Sequence, residues 1–316
     1  MPRKGLFTQG FCVLTDRNID MEVVKAALAT YNPRYLEATP ESNWQMGGEF
    51  LVLDGPIPGL IATVDIVNRQ WPDEMGSPQE DPMTFGAWTM GFFGPLTFPG
   101  NLERAVQHSP RREKNQTLKD KHRGFIRLKS CYKVDGPNDR LIPENYKPLD
   151  EIRFLTDIAV SLINIPGCLC YFNPGGEMIL DKQNLVEWLD VSDKHNLPPI
   201  EVWSNIRLFT IDSTWSVMDT IGNAQFDLPD FEAFFKTAQY DASKIDFYLR
   251  NITLHFLNPA SKILKDGDGI DGPEGRKSNW RVLVSETATS TPPRDVARLV
   301  PESEIKKLKQ VMKDYW

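Results

Sequence analysis

Apolar positions along this chain switch between two periods. Residues 7–14 form a run rich in aromatic and β-branched side chains that ends at Thr15-Asp16-Arg17-Asn18, which predicts a strand closed by a turn. Val24, Ala27, Leu28 and Tyr31 then recur at the spacing of one helix face, with Asn18 or Asp20 available as the cap. Asn32-Pro33 closes that helix, because the residue before proline avoids the helical region. Residues 35–38, 49–53 and 60–67 read as strands, the last two joined through a Gly/Pro-rich turn at 54–59.

From 65 to 104 the periodicity stops. This stretch holds five glycines, five prolines and six aromatics (Trp71, Phe85, Trp88, Phe92, Phe93, Phe98). Glycine and proline argue against a long helix or a central strand, and the rings argue against a disordered linker. The expectation is a long ordered loop whose rings plug into a core, and such loops are often functional. A short helix with Leu102, Ala105 and Val106 inward follows. Residues 111–123, R-R-E-K-N-Q-T-L-K-D-K-H-R, are polar and aperiodic, which predicts a mobile, protease-sensitive linker.

The rest of the chain repeats the mixture. Residues 124–134 alternate, with Ile126, Leu128, Tyr132 and Val134 on one side and Arg127, Lys129 and Lys133 on the other, as a half-buried strand does. Leu149, Ile152, Leu155, Ile158, Ala159, Leu162 and Ile163 form the longest apolar stripe at helical spacing and predict a helix. A buried strand at 168–172, a turn at 173–176 and a helix capped by Asp181 follow. Residues 202–211 and 215–221 bracket a hairpin turn. Phe231, Phe234 and Phe235 predict a helix, and Ile245, Leu249, Ile252 and Phe256 a second. Aspartate-glycine turns at 266–272 precede a strand at 280–284, and a helix at 304–315 turns Ile305, Leu308, Met312 and Tyr315 to one side. The fold class is therefore α+β, antiparallel sheets with packed helices. Two parts of similar size are expected, 1–110 and 122–300, joined near residues 105–121, with a terminal amphipathic helix at 301–316.

Composition narrows the classes of function. No apolar run approaches the ~20 residues of a membrane helix, and no signal peptide is evident. Cys12, Cys131, Cys168 and Cys170 are too few for a disulfide scaffold, so a reducing, cytoplasmic setting is expected. A net charge of −7 argues against nucleic acid as partner. The charge is uneven: residues 104–133 carry ten Lys/Arg against two acids, and residues 135–259 nineteen acids against nine Lys/Arg. An acidic face of this kind suits a basic protein partner.

Several motifs occur together: W-P-D-E-M-G (71–76), F-G-A-W-T-M-G-F-F-G-P (85–95), P-G-N-L-E-R-A (99–105) and H-R-G-F-I-R (122–127). Y-F-N-P-G-G-E (171–177), W-S-N-I-R-L-F (203–209), M-D-T-I-G (218–222) and D-L-P-D-F-E (227–232) accompany them. In these the chain resembles the bacterial domain-of-unknown-function family 4261 over nearly its full length. The resemblance implies an α+β fold and a bacterial cytoplasmic protein. It implies no activity and carries no catalytic residues.

No nucleophile elbow, phosphate loop, dinucleotide fingerprint or zinc motif occurs, and the Asp-Gly turns fail the register of a calcium loop. No metal and no cofactor is expected. The leading reading is a non-enzymatic protein-binding protein, by analogy an immunity protein that neutralises a bacterial toxin by occluding its active site. Trp71, Asp73, Glu74, Phe85, Trp88 and Arg104 are its candidate binding residues, since interface anchors tend to be Trp, Tyr and Arg. Trp44, Trp203 and Trp215 are further ring candidates. The alternative is a hydrolase-type enzyme using Asp65, Asp73, Glu103 and His108 around the 65–108 loop.

Overall fold

The computed structural model describes residues 4–36, 48–134, 136, 140–144, 146–258, 260–262 and 264–312. Trp44, residues 37–38 of one expected strand and Tyr315 lie outside them. The chain divides into two compact units after Trp203.

The first unit runs β1 (Gln9–Thr15), α1 (Met21–Ala27), β2 (Arg34–Leu36), β3 (Phe50–Asp54), β4 (Leu60–Val67), α2 (Pro82–Thr89), α3 (Asn101–Gln107) and α4 (Arg112–Lys121). It continues through β5 (Gly124–Tyr132), α5 (Pro148–Leu162), β6 (Cys168–Asn173), β7 (Met178–Asp181), α6 (Lys182–His195) and α7 (Ile200–Trp203). The seven strands form one antiparallel sheet in the order β2-β3-β4-β5-β1-β6-β7. Asp20 caps α1 and Asp181 caps α6, each accepting a backbone N–H of the first turn.

Three expectations change here. The predicted linker is α4. Its sequence lacks an apolar stripe, but Arg, Lys, Glu, Gln and Leu favour helix, and Glu113 in its first turn and Lys119 and Lys121 in its last complement the helix dipole. One buried polar residue anchors it: Asn115 donates to Ser109 Oγ at 2.8 Å and to the Ile179 carbonyl at 3.3 Å. Chain division near 105–121 does not follow, because β5 beyond α4 pairs with both β1 and β4 before it. Nor is β5 half-buried. All nine of its residues are buried, since α5 packs on the sheet at β1 and β5 and the 65–104 segment covers the side that bears Arg127 and Lys129.

The second unit contains β8 (Asn205–Thr210), β9 (Trp215–Ile221), β10 (Asp230–Lys236), α8 (Ala242–Leu257), β11 (Gly269–Gly272), β12 (Gly275–Ser285), β13 (Val296–Pro301) and α9 (Ile305–Val311). Its sheet has the order β11-β12-β13-β10-β9-β8, antiparallel except for the parallel pair β10–β13. The Phe231-Phe234-Phe235 segment is strand β10, not a helix. Phe231, Ala233 and Phe235 alternate into the core shared with α8, while Phe234 joins a second core with Leu308 and Met312 at α9. A strand buried on both faces loses the alternation that marks a half-buried one, and three phenylalanines in five residues mimic a helical stripe. The α+β class holds in both units.

Turns join these elements at close quarters. A Cβ on Gly176, in the β6–β7 turn, would sit 2.0 Å from the Trp203 carbonyl oxygen, whereas one on Gly86 in α2 would meet nothing within 4 Å. Gly176→Ala is expected to cost about 1–3 kcal/mol. Gly86→Ala should be neutral or stabilise by up to ~1 kcal/mol. Urea midpoints at unchanged slope measure both.

Candidate functional site

Trp71 organises the segment that the sequence singles out. It is 4% exposed and meets Phe93, Phe125 and Phe172 edge-on at 5.1 Å, and Trp88 at 6.1 Å. Its indole N–H donates to Asn101 Oδ1 at 3.0 Å, and its backbone N–H donates to His122 Nε2 at 2.9 Å. Both N–H groups of this buried tryptophan are thus satisfied. The segment is not a bare loop. Asp81 caps α2 by accepting the Thr84 N–H, and α2 places Trp88 over Phe93 at 4.4 Å.

The candidate residues come to this place in separate roles. The Asp73 carboxylate accepts the Leu102 and Glu103 N–H groups at 2.9 and 2.8 Å, so it caps α3, whose own flanking residue is Gly100. Glu103 pairs with Lys119, which holds its carboxyl below the usual range, with help from Gln107. Arg104 pairs at 2.6 Å with Glu177 and donates to the Pro99 carbonyl. Glu74 is exposed, and Phe85 and His108 are partly buried. Trp71 and Trp88 are core rings. So are Trp203, which donates to Thr156 Oγ1 at 2.8 Å, and Trp215. None of these four offers an exposed ring to a partner.

Asp65 lies in the sheet beneath, directly opposite Arg127 in the β4–β5 register. The two form a bidentate pair at 3.0 and 2.5 Å, and a third donor of Arg127 reaches the Phe92 carbonyl at 3.0 Å. Burial pushes the Asp65 carboxyl up, but the charge and hydrogen bonds of Arg127, with the charge of Lys129, together hold it below the usual range. Asp65 and Asp73 therefore serve different partners, one on the sheet and one at a helix end.

Three residues outside the candidate set tie the motifs together. Asn101 joins Trp71 to the Pro174 carbonyl, Glu177 receives Arg104, and His122 holds the backbone of Trp71. The five segments 71–76, 85–95, 99–105, 122–127 and 171–177 thus meet around one ring.

The second unit holds a row of buried charges. Arg207 faces Asp219, Asp219 faces Glu232 and Glu232 faces Arg298 across β8, β9, β10 and β13. Arg207 binds Asp219 in bidentate fashion at 3.0 and 2.7 Å, and Arg298 binds Glu232 at 3.1 Å. Residues 286–295 cover the row. Ser290 and Arg294 both donate to Asp219 at 2.5 Å, Thr289 N–H donates to Glu232 at 2.5 Å, and Arg207 donates to the Thr291 carbonyl at 2.9 Å. Burial raises the Asp219 carboxyl, and Arg207 and Arg294 more than offset it. Glu232, buried beside that second carboxylate, is raised. The signal in the sequence is one charge within each apolar run: V-M-D-T-I, F-E-A-F-F and V-A-R-L-V.

Four members of this row and its cover, Asp219, Glu232, Arg294 and Arg298, lie in the part of the chain that has a known counterpart. Residues 219–300 match the family DUF4261, a domain of unknown function. The match begins at Asp219, the first acid of the row, and ends in β13. Of the DUF4261 motifs noted above, residues 219–222 and 227–232 fall within it; those at 71–209 precede it. No curated protein and no solved structure matches the chain. Among the described residues, no group of three or more His, Cys, Asp or Glu is placed to hold a metal, and no helix is long and apolar enough to cross a membrane.

Two outcomes follow for the buried polar groups. His122 accepts at Nε2, and its Nδ1 contacts the Lys119 carbonyl, so the ring is neutral with its proton on Nδ1. Burial lowers its pKa from 6.5. The unfolded chain therefore takes up its proton first as pH falls through about 6.5, and stability declines until the folded ring protonates as well. Urea midpoints between about pH 8 and pH 5 should fall more for the wild type than for His122→Gln. Asp219→Asn leaves Arg207 without its buried counter-charge and Arg294 with Asp230 alone, and should cost about 3–5 kcal/mol by the same assay.

Proposed function

We propose that the protein is a non-enzymatic, protein-binding protein of the bacterial cytoplasm that covers the functional surface of a basic partner, as an immunity protein covers a toxin. The observation that carries this reading is the outer face of α6. Trp188 and Val191, three residues apart and so neighbours on that face, are each 40% exposed. Exposed Glu187 and Asp190 flank them. A half-exposed tryptophan with an acidic rim has the make-up of an interface anchor, which needs a large ring to bury and charges to steer the encounter. The overall charge of −7 adds a long-range pull on a basic domain.

The alternative binding site, the aromatic segment, offers less: its rings are buried and its charges serve internal partners. An acidic binder that sits on a nuclease would occupy the groove that holds phosphates, which links occlusion to loss of activity. Co-purification with the basic protein encoded beside it tests the reading. Recovery should drop at least tenfold for Trp188→Glu at unchanged thermal stability. Equal recovery by an unrelated acidic protein, or by Trp188→Glu, would contradict it.

A further inference from the structure

Lys129 is the one buried lysine of β5, and its environment is unusual for an ammonium group. It is 4% exposed. Its Nζ lies 4.0 Å from the ring centroid of Phe7 and 4.9 Å from that of Phe92. Among the described residues no carboxylate pairs with it. Asp65, two positions from Thr63 on the facing strand, is engaged by both arms of Arg127. Arg127 itself lies two positions along β5, on the same side of the sheet. The other titratable groups near Nζ are the thiols of Cys131 on β5 and Cys12 on β1.

These surroundings combine two effects that activate an amine. Desolvation penalises the charged form, and a neighbouring guanidinium adds like-charge repulsion. Lysines in such settings act as nucleophiles toward carbonyl compounds. Once an imine has formed and taken up a proton it is again a cation, and the two ring faces stabilise a cation. With Lys129 only 4% exposed and Arg127 beside it, the carbonyl class such a site would take is a small, uncharged aldehyde.

We propose that Lys129 is a covalent capture site for small aldehydes. The Nζ lone pair attacks the carbonyl carbon, and the C=O π pair moves to oxygen. The amine proton passes to that oxygen through water. Loss of one water molecule then leaves a C=N bond to Nζ, a condensation that requires no oxidant or reductant. Burial first, and Arg127 second, pull Lys129 down to about 7, so the free amine dominates above neutral pH. This inference is independent of the binding face on α6.

Reductive trapping tests it on the intact protein. Acetaldehyde and cyanoborohydride are added in limiting amounts, and the adduct is located by peptide mapping, first near neutral pH and then across a pH series. Lys129 should be labelled ahead of the exposed lysines, with an apparent pKa near 7. The preference should vanish in urea, where the cage is gone. Labelling of exposed lysines with Lys129 untouched would overturn the proposal. So would a Lys129 labelling rate that keeps rising to about pH 10, the behaviour of an ordinary lysine. Mapping on the wild type needs no variant. Lys129→Met, where it folds, should lose only that adduct.

Discussion

The edge-on contacts of Trp71 are the constraint on which the first unit depends. Each such contact contributes about 0.5–1.5 kcal/mol beyond burial. Four of them, with two hydrogen bonds, are comparable with the whole margin by which a domain of this kind is stable, about 5–15 kcal/mol. The ring also fixes geometry. Its indole N–H sets Asn101 at the start of α3, and its backbone N–H sets His122 at the end of α4. Two helices and a stretch rich in glycine and proline are thereby registered against one sheet.

The two units use the same device under different covers. In each, an arginine and an aspartate face one another on adjacent antiparallel strands and form a buried bidentate pair: Asp65 with Arg127, and Asp219 with Arg207. In each, a further N–H of the arginine reaches a carbonyl of the covering segment, Phe92 in one and Thr291 in the other. An unpaired arginine under such a cover would be costly, and so would a covering carbonyl without a donor. The pair thus makes the position of the cover conditional on the charge beneath it. This accounts for the lowered pKa of both aspartates: a carboxylate held ionised by a fixed guanidinium is a poor base.

Much of this was legible in the residues. The ring-rich segment was expected to plug into a core, and it does; the caps at Asp20 and Asp181, the long helix α5 and the hairpin of β8 and β9 follow from spacing. Three features were hidden for physical reasons. Helix α4 has no apolar stripe because buried Asn115 fixes it through side-chain hydrogen bonds. Strand β10 is buried on both faces, so Phe231, Phe234 and Phe235 carry no alternation. The buried charges of the second unit are neutralised by partners on other strands or in the cover, as Asp219 is by Arg207 and Arg294. A periodicity argument treats a lone charge in an apolar run as a solvent-facing residue, when its counter-charge on the next strand permits burial. The candidate site shows the same limit: residue types marked the right segment, but the sequence could not tell rings facing a partner from rings facing Phe125 and Phe172.

Through Trp71, residues 82–107 belong to the cooperative core. Native-state amide hydrogen exchange measures this most directly. The amides of Phe92, which bonds to the Ala87 carbonyl, and of Leu102, capped by Asp73, should open with the same free energy as those of β5. Exchange of these amides at nearly unprotected rates, while β5 stays protected, would contradict the account.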